Sequence, residues 1–351
     1  MRSLPPSTTA LREVVAATAG GRILPGVHQC LLRVESPQWP KGWVGAAGAG
    51  ERRGPASFDR TPFRIASVTK VVTATALLSL SDRGKCRLDE SIARYLPART
   101  VDRVHVLDGR SHGADITVRQ LLDHTSGLRN FFGGRRVNEA IRSGQGLRRF
   151  TPLDLLELAI DAGPPSFVPG GGREYTDTGF LLAGLIIERL TGTPLQVAYR
   201  DLVLDRAGMA DTWLESSDEA PRSGPVMAHV LDGQDITAMD PTVDWAGGGL
   251  VSTAADLASL LRSLRDGRLL SAAALCEMTR WTPGPAGFYD DYGLGLGRYR
   301  LGVRSAIGHH GVWGAFAFLI PDLDAVITGT VNTGRVDRRP LLAAVVDAIA
   351  G

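Results

Sequence analysis

Two polar side chains interrupt an otherwise apolar stretch, Arg64-Ile-Ala-Ser-Val-Thr-Lys-Val-Val-Thr-Ala-Thr-Ala-Leu-Leu-Ser-Leu-Ser-Asp-Arg-Gly84. From Ala66 to Leu80 nearly every face is apolar, the pattern of a helix buried in a core. Ser67 and Lys70 lie three residues apart, so on a helix their side chains are neighbours. A buried lysine is costly unless it loses its proton or finds partners. An amine that can stand neutral beside a hydroxyl is a base beside a nucleophile. The plainer alternative is a lysine snorkelling out of a core helix. Against it, only Lys41, Lys70 and Lys85 are lysines among 39 Lys+Arg. Position 70 keeps the basic side chain that can give up its proton.

The elements that must position this pair read from caps and periodicity. Residues 7–19 have helical spacing and stop at Gly20-Gly21. Strand-like runs cover Val27 to Val34 and Trp43 to Gly48, joined through Pro37 to Pro40. The buried helix follows and ends at Gly84. Thr117 reads as an N-cap, and Thr151-Pro152 opens a helix towards Gly163. Further helices are expected at Thr178 to Leu190 and Leu195 to Arg206. Asp232-Gly233 signals a hairpin, and Ser252-Thr253 caps an amphipathic helix with Leu257, Leu260, Leu261 and Leu264 on one side. Strands return at Tyr292 to Val303, Ala315 to Ile320 and Ala325 to Val331, before a last helix, Leu341 to Ala350. That order predicts an α+β fold. Residues 1–88 and 245–351 would form one discontinuous sheet domain, with 89–244 as a helical insertion and the site in the cleft between them.

The chain has 351 residues with 44% hydrophobic content, enough for a large core. A net charge of +2 implies neither nucleic acid nor a membrane surface as an obligatory partner. Three scattered cysteines suit neither a disulfide framework nor a metal cage. No apolar run reaches spanning length, and Met1 to Gly20 lacks the continuous apolar centre of a secretion signal. A cytoplasmic setting is the expectation.

Two further segments are polar and glycine-rich. Pro169-Gly-Gly-Gly-Arg-Glu-Tyr-Thr-Asp-Thr-Gly179 places Tyr175 and Asp177 just before a helix, where a phenol facing Lys70 could relay a proton. Gly308-His-His-Gly-Val-Trp-Gly314 lies between strands, and its small residues allow close approach of a ligand. Adjacent residues point to opposite strand faces, so at most one of the two histidines is expected in a pocket. Neither has a partner at zinc-binding spacing, and no metal or other cofactor is expected.

Together these segments resemble the serine β-lactamase and DD-peptidase superfamily, in its class C-like branch with D-aminopeptidases and related esterases. The resemblance runs through Ser67-Val-Thr-Lys70, Leu88-Asp-Glu-Ser-Ile-Ala-Arg-Tyr-Leu-Pro97, Ile116-Thr-Val-Arg-Gln-Leu-Leu-Asp-His-Thr-Ser-Gly-Leu128 and Tyr175-Thr-Asp-Thr-Gly179. It continues in Leu181-Leu-Ala-Gly-Leu-Ile-Ile-Glu188, Gly247-Gly-Gly-Leu-Val-Ser-Thr-Ala-Ala-Asp-Leu257 and His309-His-Gly311.

The resemblance implies that Ser67 is the acylated nucleophile and that Lys70 with Tyr175 form the base and acid system. Which of the two is the base stays open. It also implies that the third-motif strand, His309-His310-Gly311, offers the N–H of Val312 to an oxyanion beside the N–H of Ser67. Two departures matter for substrate binding. Asp177 stands where the family usually has asparagine, and an ionised carboxylate can only accept. It is expected at the rim of the cleft, one step beyond Tyr175. His309 replaces a lysine and is mostly neutral near pH 7. Both argue against a dedicated β-lactamase.

The arginines Arg129, Arg135, Arg136, Arg142, Arg148 and Arg149, with Phe131 and Phe132 among them, are either a selector of acidic or aromatic acyl groups or a solvated face. His124 reads as structural. The expectation is a serine hydrolase acting through a Ser67 acyl-enzyme on a small-molecule ester or amide, a simple ester leading. Alternatives are a D-amino-acid peptidase or amidase, acyl transfer to an amine or alcohol, and a non-enzymatic sensor that is acylated without turnover.

Overall fold

The computed structural model describes residues 6–48, 58–134, 137, 149–215, 224–231, 234–235 and 237–351. The chain opens with helix α1 (Pro6–Ala19) and strands β1 (Gln29–Ser36) and β2 (Trp39–Gly48). The buried helix is α2 (Thr69–Asp82), preceded by a single 3₁₀ turn, Ala66–Val68, that carries Ser67. Helix α3 is Pro152–Asp161, and α4 is Asp177–Thr191. After the short α5 (Trp245–Gly248) and α6 (Ala254–Arg265) come strands β3 (Thr282–Ala286), β4 (Tyr289–Tyr292), β5 (Gly297–Leu301), β6 (Arg304–His310), β7 (Ala315–Ile320) and β8 (Ala325–Thr330). Helix α7 (Arg339–Ala350) ends the chain.

These eight strands form one antiparallel sheet in the order β3-β4-β5-β6-β7-β8-β1-β2. The first and last parts of the sequence meet where Leu31 pairs with Thr330 and Val34 with Ile327. Alternation decides what each face buries. Phe316, Phe318, Leu32, Val34 and Ile327 pack beneath Leu11 and Val15 of α1 and Leu341, Leu342 and Val345 of α7. Ala315, Ala317, Leu31 and Val326 face the other way, into the core with α2 and with Leu257, Leu260, Leu261 and Leu264 of α6. Small residues on that face let helices approach closely.

Local signals were good guides. Thr117 and Thr151 each close a capping box, with Gln120 and Asp154. Thr253 caps α6, and Gly192 ends α4 with φ +71°. The expected strand Tyr292 to Val303 is instead broken. A Gly293–Leu296 loop separates β4 from β5, and a tight Gly302-Val303 turn leads into β6. His309 and His310 are therefore the last residues of a strand, not a connection between strands. The helix expected over Leu195 to Arg206 contains a π turn at Arg200–Leu204. Val230–Leu231 pairs with Gln234–Asp235 as the hairpin signal implied, while Asp232 and Gly233 lie outside the described residues. So do Arg135, Arg136, Arg142 and Arg148. Among the described residues, no helix is long and apolar enough to cross a membrane.

A small sheet anchors the start of α2. Phe63–Arg64 pairs with Val251–Ser252, and Trp213–Leu214 pairs with Leu250–Val251 on the other side. Ile65 N–H donates to Leu250 O at 3.0 Å, and Leu250 N–H donates to Thr69 Oγ1 at 3.2 Å. The turn holding Ser67 is thus pinned to the segment that follows α5.

Candidate active site

Ser67 sits half-buried on its turn, after Ala66, which has φ +44°. Left-handed backbone at an alanine is strained, by about 1–2 kcal/mol, and it lifts the serine out of the helix line. Lys70, one turn on, is fully buried. Its Nζ donates to Ser67 Oγ at 3.1 Å, to Gly247 O at 2.8 Å, and to Asp177 Oδ1 in a close ion pair. These are three acceptors, one for each hydrogen of an ammonium. The same geometry serves a neutral amine: two hydrogens satisfy Asp177 and Gly247 while the lone pair faces Ser67.

Tyr175 approaches from the other side, its phenol hydrogen-bonded to Ser67. Burial and the nearby Asp177 carboxylate hold its pKa well above the ordinary value, so it stands as a neutral phenol. Lys70 Nζ lies 5.0 Å from the Tyr175 ring centre. His124 brackets this tyrosine. Its carbonyl accepts the Glu174 N–H at 3.0 Å, and its Nδ1 accepts the Thr176 N–H at 3.3 Å. Its ring lies 4.3 Å from that of Tyr175. Burial keeps the imidazole neutral, with its hydrogen on Nε2. Its φ of +64° marks a second strained position, now explained by the clamp on residue 175.

Gly311 brings the strand end to the nucleophile. A methyl group there would lie 2.3 Å from Ile65 O and 2.9 Å from Ala66 Cβ, so only glycine allows the two backbones to touch. Among the described residues, neither Ser67 N–H nor Val312 N–H donates to another protein group. Gly311 O accepts from Arg338 Nη2 at 3.0 Å and from Gly314 N–H at 3.1 Å. Arg338 is fully buried, and it braces the very peptide whose other end is the Val312 N–H.

Three expectations need correction. Asp177 is not at the rim. As the first residue of α4, capped by Thr176, it points inward; Oδ1 meets Lys70 and Oδ2 accepts Asn130 Nδ2 at 3.1 Å. Both its oxygens are occupied by protein groups. His309 borders the cavity, but its nitrogens are bonded within the fold, Nδ1 to Tyr289 Oη and Nε2 to Tyr292 Oη, each at 2.9 Å. Burial and the Lys70 charge push its pKa down to about 3, so it presents no cation. His310 also borders the cavity, because β6 ends there and the cavity wraps round the strand end. Its Nδ1 pairs with Tyr299 Oη at 2.7 Å. Of the arginines, Arg129 pairs with Glu174 at 3.5 Å and with Ser166 Oγ at 3.0 Å, a partly exposed arrangement away from Ser67.

Ser67, Tyr175, Asp177, His309 and Val312 line one cavity of about 280 Å³. Phe132, Phe288, Tyr289 and Trp313 make much of its wall aromatic. Sequence reasoning missed Asp244, which also lines it and receives the Trp313 Nε1–H at 3.1 Å. It missed Asn130 and Arg338 as well. None of these stands at a diagnostic spacing from Ser67; the one local hint was a lone acid just before Trp245-Ala-Gly-Gly-Gly249.

Comparison with known proteins identifies the family. The Beta-lactamase family model matches residues 13–350, and the chain belongs to that family. Penicillin-binding protein 4 of Amycolatopsis lactamdurans is 30% identical over 297 residues, 78% of this chain and 72% of the relative. Esterase EstB of Burkholderia gladioli is 37% identical over 162 residues, 45% of this chain and 40% of the relative. The chain spans about half the length of the first curated relatives it matches. The crystal structure of D-amino acid amidase from Ochrobactrum anthropi SV3 superposes with a TM-score of 0.82 at 25% identity, covering 98% of this chain and 99% of that one.

Proposed function

We propose that the protein is a serine hydrolase that cleaves a small-molecule ester through an acyl-enzyme on Ser67. The observation that carries this reading is the placement of Ser67 Oγ. It lies between Lys70 Nζ and the Tyr175 phenol, on a turn whose own N–H and that of Val312 are unspent. Ser67 Oγ attacks the carbonyl carbon and its proton passes to the Lys70–Tyr175 pair. The carbonyl oxygen gains the electron pair and is held by the two N–H groups. Collapse of the intermediate breaks the bond to the leaving group, which departs with a proton from the same pair. Water then repeats the sequence on the acyl-enzyme and releases the acid.

The aromatic cavity wall suits an apolar acyl group, and the likeness to EstB over part of the chain supports an ester. Amide cleavage is the second reading, favoured by the near full-length likeness to the amidase. Intact-protein mass spectrometry after exposure to esters, amino-acid amides and penicillins tests the proposal. An ester adduct on wild type that is absent from Ser67→Ala is expected. Substantial turnover by pure Ser67→Ala overturns it.

A further inference from the structure

Asp244 is a carboxylate in the wrong place for structure alone. It lies at the start of α5 and borders the cavity that holds Ser67. A methyl group placed on Gly248 would lie 3.1 Å from Asp244 Cγ and 3.4 Å from the Ala66 carbonyl carbon. The carboxylate is therefore on the wall next to the nucleophile turn. Trp313 Nε1 is its single side-chain donor among the described residues, although an ionised carboxylate offers about four acceptor positions. No lysine or arginine forms an ion pair with it there. Lys70 Nζ instead faces Ser67, Asp177 and Gly247. Arg64 is paired with Glu215 at 2.7 Å.

Burial and Asp177 raise the Asp244 pKa, while the Trp313 hydrogen bond, Lys70 and Arg64 act to lower it. Arg335 and Arg338 border the same cavity. Arg338 is turned to the Gly311 and Thr333 carbonyls. Asp244 of the α5 start and Arg335 and Arg338 of the loop after β8 thus share one cavity. Aromatic rings line it as well. Phe132 and the exposed Phe288 border the cavity, and Trp313 carries the donor to Asp244.

We propose that Asp244 is a specificity residue that recognises an ammonium group carried by the acyl part of the substrate, close to the scissile carbonyl. The acyl side is indicated because Trp313, which holds Asp244, adjoins the oxyanion donor Val312, whereas the leaving group departs beside Tyr175. The substrate class is then an amine-bearing ester or amide with an apolar side chain on the aromatic wall. This deepens the Ser67 reading and rests on it for the direction of the acyl group.

Binding separates the two claims. Isothermal titration of Ser67→Ala protein with phenylalaninamide, both enantiomers, and with 3-phenylpropanamide compares ligands that differ by the ammonium alone. A preference of roughly tenfold to a hundredfold for one phenylalaninamide enantiomer is expected, the size of a charge-assisted hydrogen bond. In Ser67→Ala/Asp244→Asn the ratio should fall to near one, and Asp244→Glu should recover part of it. Equal binding of charged and neutral ligands overturns the proposal, as does a ratio unchanged in Asp244→Asn. The outcome does not depend on turnover, so a Ser67 acyl-enzyme that never forms would defeat the proposed function without deciding this one.

Discussion

Replacing Asp244 by asparagine tests what it costs the fold to keep a carboxylate in the cavity. Burial and the neighbouring Asp177 raise the Asp244 pKa from an ordinary 3.8 to about 6. That is about two units, or about 3 kcal/mol at 1.36 kcal/mol per unit. Because the folded-state value is the higher one, the native protein binds this proton more tightly than the unfolded chain. The stabilising contribution is complete below about pH 3.8 and is lost as pH rises through about 6. At pH 8 the wild type carries the whole penalty, and asparagine, similar in shape and still able to accept from Trp313, carries none. Asp256, raised to about 6 by burial, titrates in both proteins and cancels in the difference. Urea unfolding at pH 8 should show Asp244→Asn more stable by roughly 1–3 kcal/mol, allowing for the amide hydrogens that need new partners. At pH 5 about half of the penalty remains, so the gain should be smaller there by roughly 1–2 kcal/mol. Equal gains at both pH values, or a loss at pH 8, would refute the electrostatic reasoning. A gain bought at the site's expense is the usual relation between stability and function.

Other perturbations address the catalytic geometry. Gly311→Ala puts a methyl group 2.3 Å from Ile65 O. Displacement of the Val312 N–H should lower kcat for p-nitrophenyl butyrate roughly a hundredfold or more, and wild-type kcat would show that this amide is not used. Lys70→Arg should be nearly as damaging as Ser67→Ala, since a guanidinium cannot act as a base near neutral pH; a wild-type rate would show that positive charge alone suffices. Nitrocefin should be hydrolysed less efficiently than p-nitrophenyl butyrate by roughly two to four powers of ten. Asp177 has both oxygens occupied and His309 is neutral, so a lactam finds neither the amide donor nor the cation at those positions. Efficient nitrocefin turnover beside negligible ester cleavage would overturn that account.

Much of the site was legible wherever its logic is local. Ser67 and Lys70 face each other because one turn, 3₁₀ at Ser67 and α-helical from Thr69, brings residues three apart together, and the apolar run after them reads as a buried helix. The caps at Thr117, Thr151 and Thr253 were equally readable, since each bond spans three residues. The family resemblance extended this to Tyr175, which hydrogen-bonds Ser67, and to Gly311, which packs on Ile65 and Ala66 just before it.

What tertiary structure alone decided is the state of each group once assembled. Asp177 and Lys70 are 107 residues apart in the chain, and Lys70 and Gly247 are 177 apart. No periodicity records such meetings, so a carboxylate expected at a rim became the inward-facing, half-buried partner of the lysine. His309 was readable as a histidine on a strand, but its neutrality comes from burial between Tyr289 and Tyr292. Asp244 depends on a contact with Trp313 across 69 positions. The sequence by itself determined which residues could do chemistry and which buried helix would stand behind the nucleophile. Charge, protonation and exposure were set only when distant segments closed around one cavity, because desolvation and Coulomb energies depend on neighbours in space.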